Sequence, residues 1–378
     1  MTRLLYIAAV VAGCMPTVEP TAHNDSRFES DALVDTGAGT DTGQSLADST
    51  QLLLSTIASD YSLGAVATLD LQTGVVADAL ATTSGDAVVR SSGGLAIVLN
   101  RLNTDSVRVY DGDDWSTPML EFALEDLSNP QDAVLCDGKL WVTQHNAARI
   151  TAHDPETGLI VDAIDLSPWA GSDGAAEASG MVRNGESVLV VIQQFDQDAG
   201  WVSEGGQLVQ FPCEGGEPAE VTAIGPSPSI ASGSSGPDVV VRTGLYGAID
   251  GVIAEIDVST GAQTVLTSEA DVGRDITSVA VSDRTVVFLS TDADWIYQVH
   301  CVDRGTGLRT DGPQSAEFWA DVVIDDRDRV WIAARAGWAS DTPERGGLRT
   351  LNADTCRDTS PGGEPIRTSL DPYNLAVQ

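Results

Sequence analysis

"PQDAVLCDGKLWVTQHNAARITAHDPETGLIVDAIDL", residues 130–166, decides how the chain folds. It divides into "PQDAVLCDG", "KLWVTQH", "RITAHDPETG" and "LIVDAIDL", four short runs rich in Val, Ile, Leu, Thr and Ala, separated by Asp- and Gly-bearing turns. β-Branched residues fit a pleated strand, and Gly and Asp supply the turn conformations that end one. From residue 51 onward no long segment carries the 3.6-residue apolar period of a helix. The unit is therefore four antiparallel strands, with the D-x-x-T-G turn "DPETG" (154–158) joining the third to the fourth.

That turn recurs as "DLQTG" (70–74), "DVSTG" (257–261) and "DRGTG" (303–307), each behind a short alternating apolar run. The first strand of the unit recurs as well: "GDAVVRSSGG" (85–94), "QDAVLCDGK" (131–139), "ASGMVRNGE" (178–186), "PSIASGSSG" (228–236), "TSVAVSDRT" (277–285), "ADVVIDDRDR" (320–329) and "YNLAVQ" (373–378). The seventh copy lacks its second, third and fourth strands. These stand instead at "QLLLSTIASD" (51–60), "GAVATLDLQTG" (64–74) and "VVADAL" (75–80). Four antiparallel strands repeated every 40 to 50 residues or so make the blade of a β-propeller. The expectation is an all-β, seven-bladed β-propeller over residues 51–378 whose last blade is shared between the two ends of the chain. A ring of sheets needs a closure, and strand pairing across its ends supplies one. Blade 4, with "SIASGSSGPDVVV", departs most from the pattern and leaves its register open.

The "NPQD…LWVTQ…ARITAHDPETG" blade resembles the YVTN and NHL-type propeller repeats of bacterial surface proteins. "VDAIDLSPWAGSDGAAEA" (161–178), followed by "SVLVVIQQFD", is similar to a blade of propeller lipoproteins of Gram-negative bacteria. The resemblance covers nearly all of 51–378 and its motifs are architectural. It implies a seven-bladed propeller and carries no catalytic residue.

Ahead of the repeats the chain opens "MTRLLYIAAVVAGCMPT". Arg3, an apolar run from Leu4 to Val11 and a small-residue site have the layout of a secretory signal, and eight apolar residues are too few to span a bilayer. "VAGC" (11–14) resembles the bacterial lipobox, which makes Cys14 the expected lipidation site and residues 1–13 the signal peptide. Acyl chains would hold the protein at a membrane without spanning it. Met15, rather than Asp, after that cysteine implies the outer membrane or cell surface. Residues 14–50, rich in Asp, Thr, Ser and Gly, cannot bury enough apolar surface to offset the entropy of ordering and are expected to form a disordered linker. Its "DTGAGTDTG" lacks the spacing and closing Glu of a calcium loop.

Twenty Lys and Arg against 56 Asp and Glu leave a net charge of −36, and Lys139 is the single lysine. Such a surface repels nucleic acid and argues against a phosphate-binding role. After Cys14 four cysteines remain, an even set that outside the cytoplasm suggests two disulfides in one of three connectivities. Cys136 sits at a first-to-second turn, Cys213 and Cys356 at third-to-fourth turns, and Cys301 just before one, so all four belong near one face of the ring. Cys136–Cys213 and Cys301–Cys356, each tying neighbouring blades, are the favoured pairs. No C-x-x-C is present to hold zinc.

The opposite face carries the long connections "SPWAGSDGAAEA" (167–178), "QFDQDAGWVSEGG" (194–206) and "RAGWASDTPERGG" (335–347). Trp169, Trp201, Trp295 and Trp338 lie in or beside such connections and are the candidate ligand-binding residues, whereas Trp141 and Trp331 lie within strands and belong to the core. The first polar position of each inner strand reads Asp86, Asp132, Ser179, Ser229, Ser278, Asp321 and Asn374. These side chains suit capping of backbone N–H groups, so no cofactor is expected, although the three carboxylates among them could hold calcium. His145 is the histidine placed like a base, with Arg101 and Arg335 near the same face, but no Ser-His-Asp order, H-E-x-x-H or G-x-S-x-G is visible. The expected function is an anchored binding or scaffold module, monomeric, meeting a protein, peptide or carbohydrate ligand. The alternative is a propeller-type enzyme (lactonase, lyase or quinoprotein dehydrogenase) using the central pocket.

Overall fold

The computed structural model describes residues 49–102, 104–112, 114–196, 202–203, 205–336 and 346–378. Cys14, the linker up to residue 48, Trp201 and Trp338 lie outside the described residues. Seven four-stranded antiparallel sheets follow one another. Blades 1 to 6 occupy 87–123, 130–165, 178–224, 229–268, 275–315 and 318–358, inner strand first. Blade 7 takes its inner strand, Asp371–Val377, from the end of the chain, and its other three, Gln51–Ile57, Gly64–Asp70 and Val76–Thr83, from the beginning of the described region. Leu52, Leu53, Leu54 and Ser55 pair with Val377, Ala376, Leu375 and Asn374, and Gln51 and Gln378 exchange backbone hydrogen bonds of 2.9 and 3.1 Å. The expected shared blade is present. No helix among the described residues is long and apolar enough to cross a membrane.

The core explains why the middle strands are apolar throughout rather than alternating. Each blade is covered on both faces, so both sets of side chains are buried. Leu52 and Leu54 pack with Val323, Trp331 and Ala333 of blade 6, while Leu53, one residue out of phase, packs with Val89, Val98 and Tyr110 of blade 1. The same division repeats around the ring, giving seven apolar clusters, one at each blade boundary. Trp141 and Trp331 belong to this core as expected, and so do Trp115 and Trp319.

The D-x-x-T-G turns are one structure built four times. In each the Gly amide donates to the Asp carbonyl at 2.7–2.8 Å, and the Gly holds φ between 70° and 72°. The Asp carboxylate accepts the amides two or three positions on. Only glycine enters that left-handed region without a Cβ penalty. "NADTC" (352–356) makes a fifth copy, with Asn352 accepting from the Thr355 amide and hydroxyl and Cys356 at φ 53° in the glycine position. Cys356 is bonded to Cys301, and Cys136 to Cys213, with Cα–Cα distances of 5.7 and 5.2 Å. Both favoured pairs are therefore correct, and each bridges adjacent blades.

Blade 4 settles its register by shortening. Its inner strand is only Ser229–Ile230, paired with Arg242 and Val241. Beyond it, the Ser234 hydroxyl bridges the amide and carbonyl of Val240, and Ser232 pairs with Ala280 of blade 5.

Candidate functional site

The polar ring around the axis is a set of clasps. The Asp132 carboxylate accepts from the Ala133 amide (2.8 Å), from Arg90 Nε (2.6 Å) and from the Met181 amide of blade 3 (2.8 Å). Asp321 accepts from Val322 (2.9 Å), from Asn374 Nδ2 (2.7 Å) and from the Leu375 amide of blade 7 (3.0 Å), and Ser278 of blade 5 donates to it. Asn374 Oδ1 in turn accepts from the Val89 amide of blade 1 (2.9 Å). Asp132, Asp321 and Asn374 thus each satisfy an amide on the next blade's inner strand, the capping use of such residues. Burial raises the Asp321 carboxyl above its usual range. Among the described residues no group of three or more His, Cys, Asp or Glu gathers as it would around a metal.

Asp86 does not join this ring. Blades 2, 6 and 7 carry a bulge where Asp132, Asp321 and Asn374 turn inward, whereas the inner strand of blade 1 pairs in continuous register from Ala87 to Ser92. Without the extra residue Asp86 falls outside the strand, where it accepts from Arg101 (2.5 Å) and from the Tyr373 hydroxyl (3.1 Å). Ser229 accepts from Arg242 at 3.2 Å, and the Ser179 hydroxyl is buried without a partner among the described residues.

At the mouth of the channel Arg101 and Arg335 flank Tyr373, their guanidinium carbons 6.0 and 5.8 Å from its ring centre. Arg335 is 4% exposed, stacks at 4.8 Å over Tyr61, and makes no ion pair among the described residues. Burial pushes the Tyr373 hydroxyl up to about 12. These groups face one another.

The histidines among the described residues are packed into the fold. His145, 9% exposed, lies between Asn146 (3.1 Å) and Gln193 (3.3 Å), and burial pushes its imidazole below the usual range. His153 stacks on Phe122 at 4.3 Å. It beds into a crevice of about 380 Å³ between the outer strands of blades 1 and 2. His300 completes a relay that chain order conceals: Ser290 Oγ stands 2.8 Å from its Nε2, and Asp311 2.8 Å from its Nδ1. Ser290 and His300 are 0% and 1% exposed, and Phe288 stacks on the imidazole at 4.7 Å. A nucleophile must reach its substrate, and this hydroxyl is sealed inside blade 5. The relay is a strut across three strands.

The two described loop tryptophans sit in different surroundings. Trp169 is half-buried against the core between blades 2 and 3, and its carbonyl accepts from Gln194 at 3.1 Å. Trp295 is 49% exposed and stacks at 5.7 Å and 32° on Tyr246, itself 63% exposed, across the boundary of blades 4 and 5. Both rings sit on second-to-third connections held from below. The Trp295 turn is pinned by Asp292, which accepts from the Asp294 (3.0 Å) and Ile296 (2.9 Å) amides while Arg274 binds its other oxygen (2.9 Å). The Tyr246 loop is pinned by the buried Glu269, which accepts from the Asp250 (3.0 Å), Gly251 (2.7 Å) and Ile276 (2.9 Å) amides. Asp275 Oδ2 takes the Gly247 amide at 3.1 Å. Tyr246 was not singled out from the sequence, yet "TGLYGAIDG" (243–251) shows the signal used for Trp295, an aromatic in a Gly- and Asp-rich connection on the same face.

No family model matches the chain, and no curated protein matches it. Solved structures do. A chain of Kuenenia stuttgartiensis hydrazine synthase aligns with TM-score 0.53 and 13% identity over 77% of this chain and 88% of that one. A chain in the crystal structure of the mitotic checkpoint complex gives 0.51 and 14% over 81% and 96%. The β-propeller domain of the trilobed protease from Pyrococcus furiosus gives 0.50 and 10% over 79% and 88%. At these identities the likeness shows the fold alone.

Proposed function

We propose that this chain is an exported, lipid-anchored binding or scaffold module: an acyl anchor at Cys14, a linker, and a propeller that meets its partner with the face of the second-to-third connections. The observation that carries the reading is the Tyr246–Trp295 stack, two large exposed rings on loops fixed by buried hydrogen bonds. Exposed aromatics on a pre-organised surface contribute contact area at small entropic cost. The two disulfides fit an oxidising compartment outside the cytoplasm, and the "VAGC" lipobox supplies the anchor.

Two arms test it in cells of the source bacterium. Labelled palmitate should enter the wild-type protein and not Cys14→Ser; equal labelling would remove the anchor. A photo-crosslinking residue at position 295 should give a discrete adduct, and one at Leu159, exposed at the outer edge, should not. Adducts at 159 and none at 295 would place the partner elsewhere on the molecule.

A further inference from the structure

From the same site, and resting on the reading of that face as the partner surface, we infer that the Tyr246–Trp295 platform takes an organic cation, the guanidinium or ammonium of an arginine or lysine side chain on a partner polypeptide. Three observations converge. Two large exposed rings lie 5.7 Å apart, and aromatic rings attract cations through their quadrupole. Trp295 is held at φ 63°, a conformation a bulky residue adopts only when its surroundings impose it; the Asp292 bonds impose it and turn the indole outward. Below the Tyr246 loop, Asp275 keeps one carboxylate oxygen, Oδ1, buried and without a hydrogen-bond donor among the described residues, beside the like charge of Asp250.

A buried acceptor left open is costly, and two neighbouring carboxylates repel. Burial, with the Asp250 charge adding to it, raises the Asp275 carboxyl above its usual range, the direction expected for an anion lacking a counter-charge. The nearby cation of this chain, Arg274, is already spent on Asp292 and the Ile296 carbonyl (2.6 Å). An incoming positive charge relieves the repulsion between Asp275 and Asp250 and covers the rings at once. A neutral sugar would cover the rings and donate hydroxyl hydrogen bonds but bring no charge against that repulsion. Ile249, 50% exposed in the same loop, adds apolar area for the methylene stem of such a side chain.

A chain of net charge −36 attracts any polycation, so the test holds charge constant. A fluorescein-labelled octapeptide of alternating arginine and glycine is titrated by anisotropy at about 150 mM salt, where long-range attraction is screened. Wild type should saturate at one site. Trp295→Ala and Tyr246→Ala, which leave the net charge unaltered, should each weaken binding about tenfold, and Trp295→Phe should restore most of it. Unchanged affinity in both alanine variants would show bulk electrostatics and overturn the proposal. So would quenching of tryptophan emission by maltohexaose with no peptide binding, which would make the platform a sugar site. Should the peptide fail while crosslinks still form at position 295, the cation is wrong and the partner face stands.

Discussion

At the scale of single residues, the described histidines are neutral parts of the packing. His300 illustrates the consequence. Burial holds its pKa below the roughly 6.5 of a free imidazole. The unfolded chain therefore takes up a proton first as the pH falls, and stability present above about pH 6.5 is lost as the pH drops through the folded value. Denaturant melts at about pH 7 and pH 5.5 should show wild type losing more stability between the two than His300→Gln, in which this linkage is gone. Equal losses would mean that His300 is not held neutral. Ser290 belongs to the same strut, so a fluorophosphonate should leave it unlabelled in the native protein; labelling would open the hydrolase question again. The turn aspartates act in a lower range. Asp70, Asp154, Asp257 and Asp303 are held below the usual carboxyl range, led by the Thr73 amide in the first and by the Thr157, Ser259 and Thr306 hydroxyls in the others. What they add is present above about pH 3.8 and is lost on acidification through their folded values.

At the scale of elements, the repeated turn separates two costs of losing a glycine. At Gly307 (φ 70°) a Cβ would meet nothing within 4 Å, so Gly307→Ala should cost only the left-handed penalty of about 1 kcal/mol. At Gly261 (φ 71°) the same Cβ would lie 2.6 Å from the Val221 carbonyl of blade 3, and Gly261→Ala should cost clearly more. Equal midpoints in chemical denaturation would show that the blade 3–blade 4 contact yields freely. Elements are also the level at which the sequence was most legible. Strand order, the turn and the two disulfides follow from local composition, because a blade is contiguous and its corners repeat. The site was less legible, since its parts come from different blades. Asp86 looked equivalent to Asp132 and Asp321 because the missing bulge of blade 1 is a matter of register with its partner strand. Tyr246 and Trp295 are far apart in the chain and meet only through the order of blades in the ring. His300 finds Ser290 and Asp311 across strand pairing that no chain order predicts.

At the scale of the whole molecule, stability rests on closing seven similar interfaces against strong self-repulsion. With a net charge of −36, added sodium chloride should raise the melting temperature at neutral pH by screening that repulsion, before any salting-out effect. The disulfides oppose unfolding from within, closing loops of 77 and 55 residues, and the chain-entropy estimate for each is about 4 kcal/mol. They fasten blade 2 to 3 and blade 5 to 6, leaving the blade 7 closure to hydrogen bonds and packing. The central claim is that Asp371–Val377 closes the ring. It is tested most directly by the thermal melt of the chain lacking residues 371–378. Loss of this strand exposes the backbone edge of Gln51–Ile57 and uncovers the apolar clusters on both sides of blade 7. The account predicts a melting temperature lowered by well over about 10 °C, or aggregation on purification; a truncated chain that melts with the intact protein would contradict it.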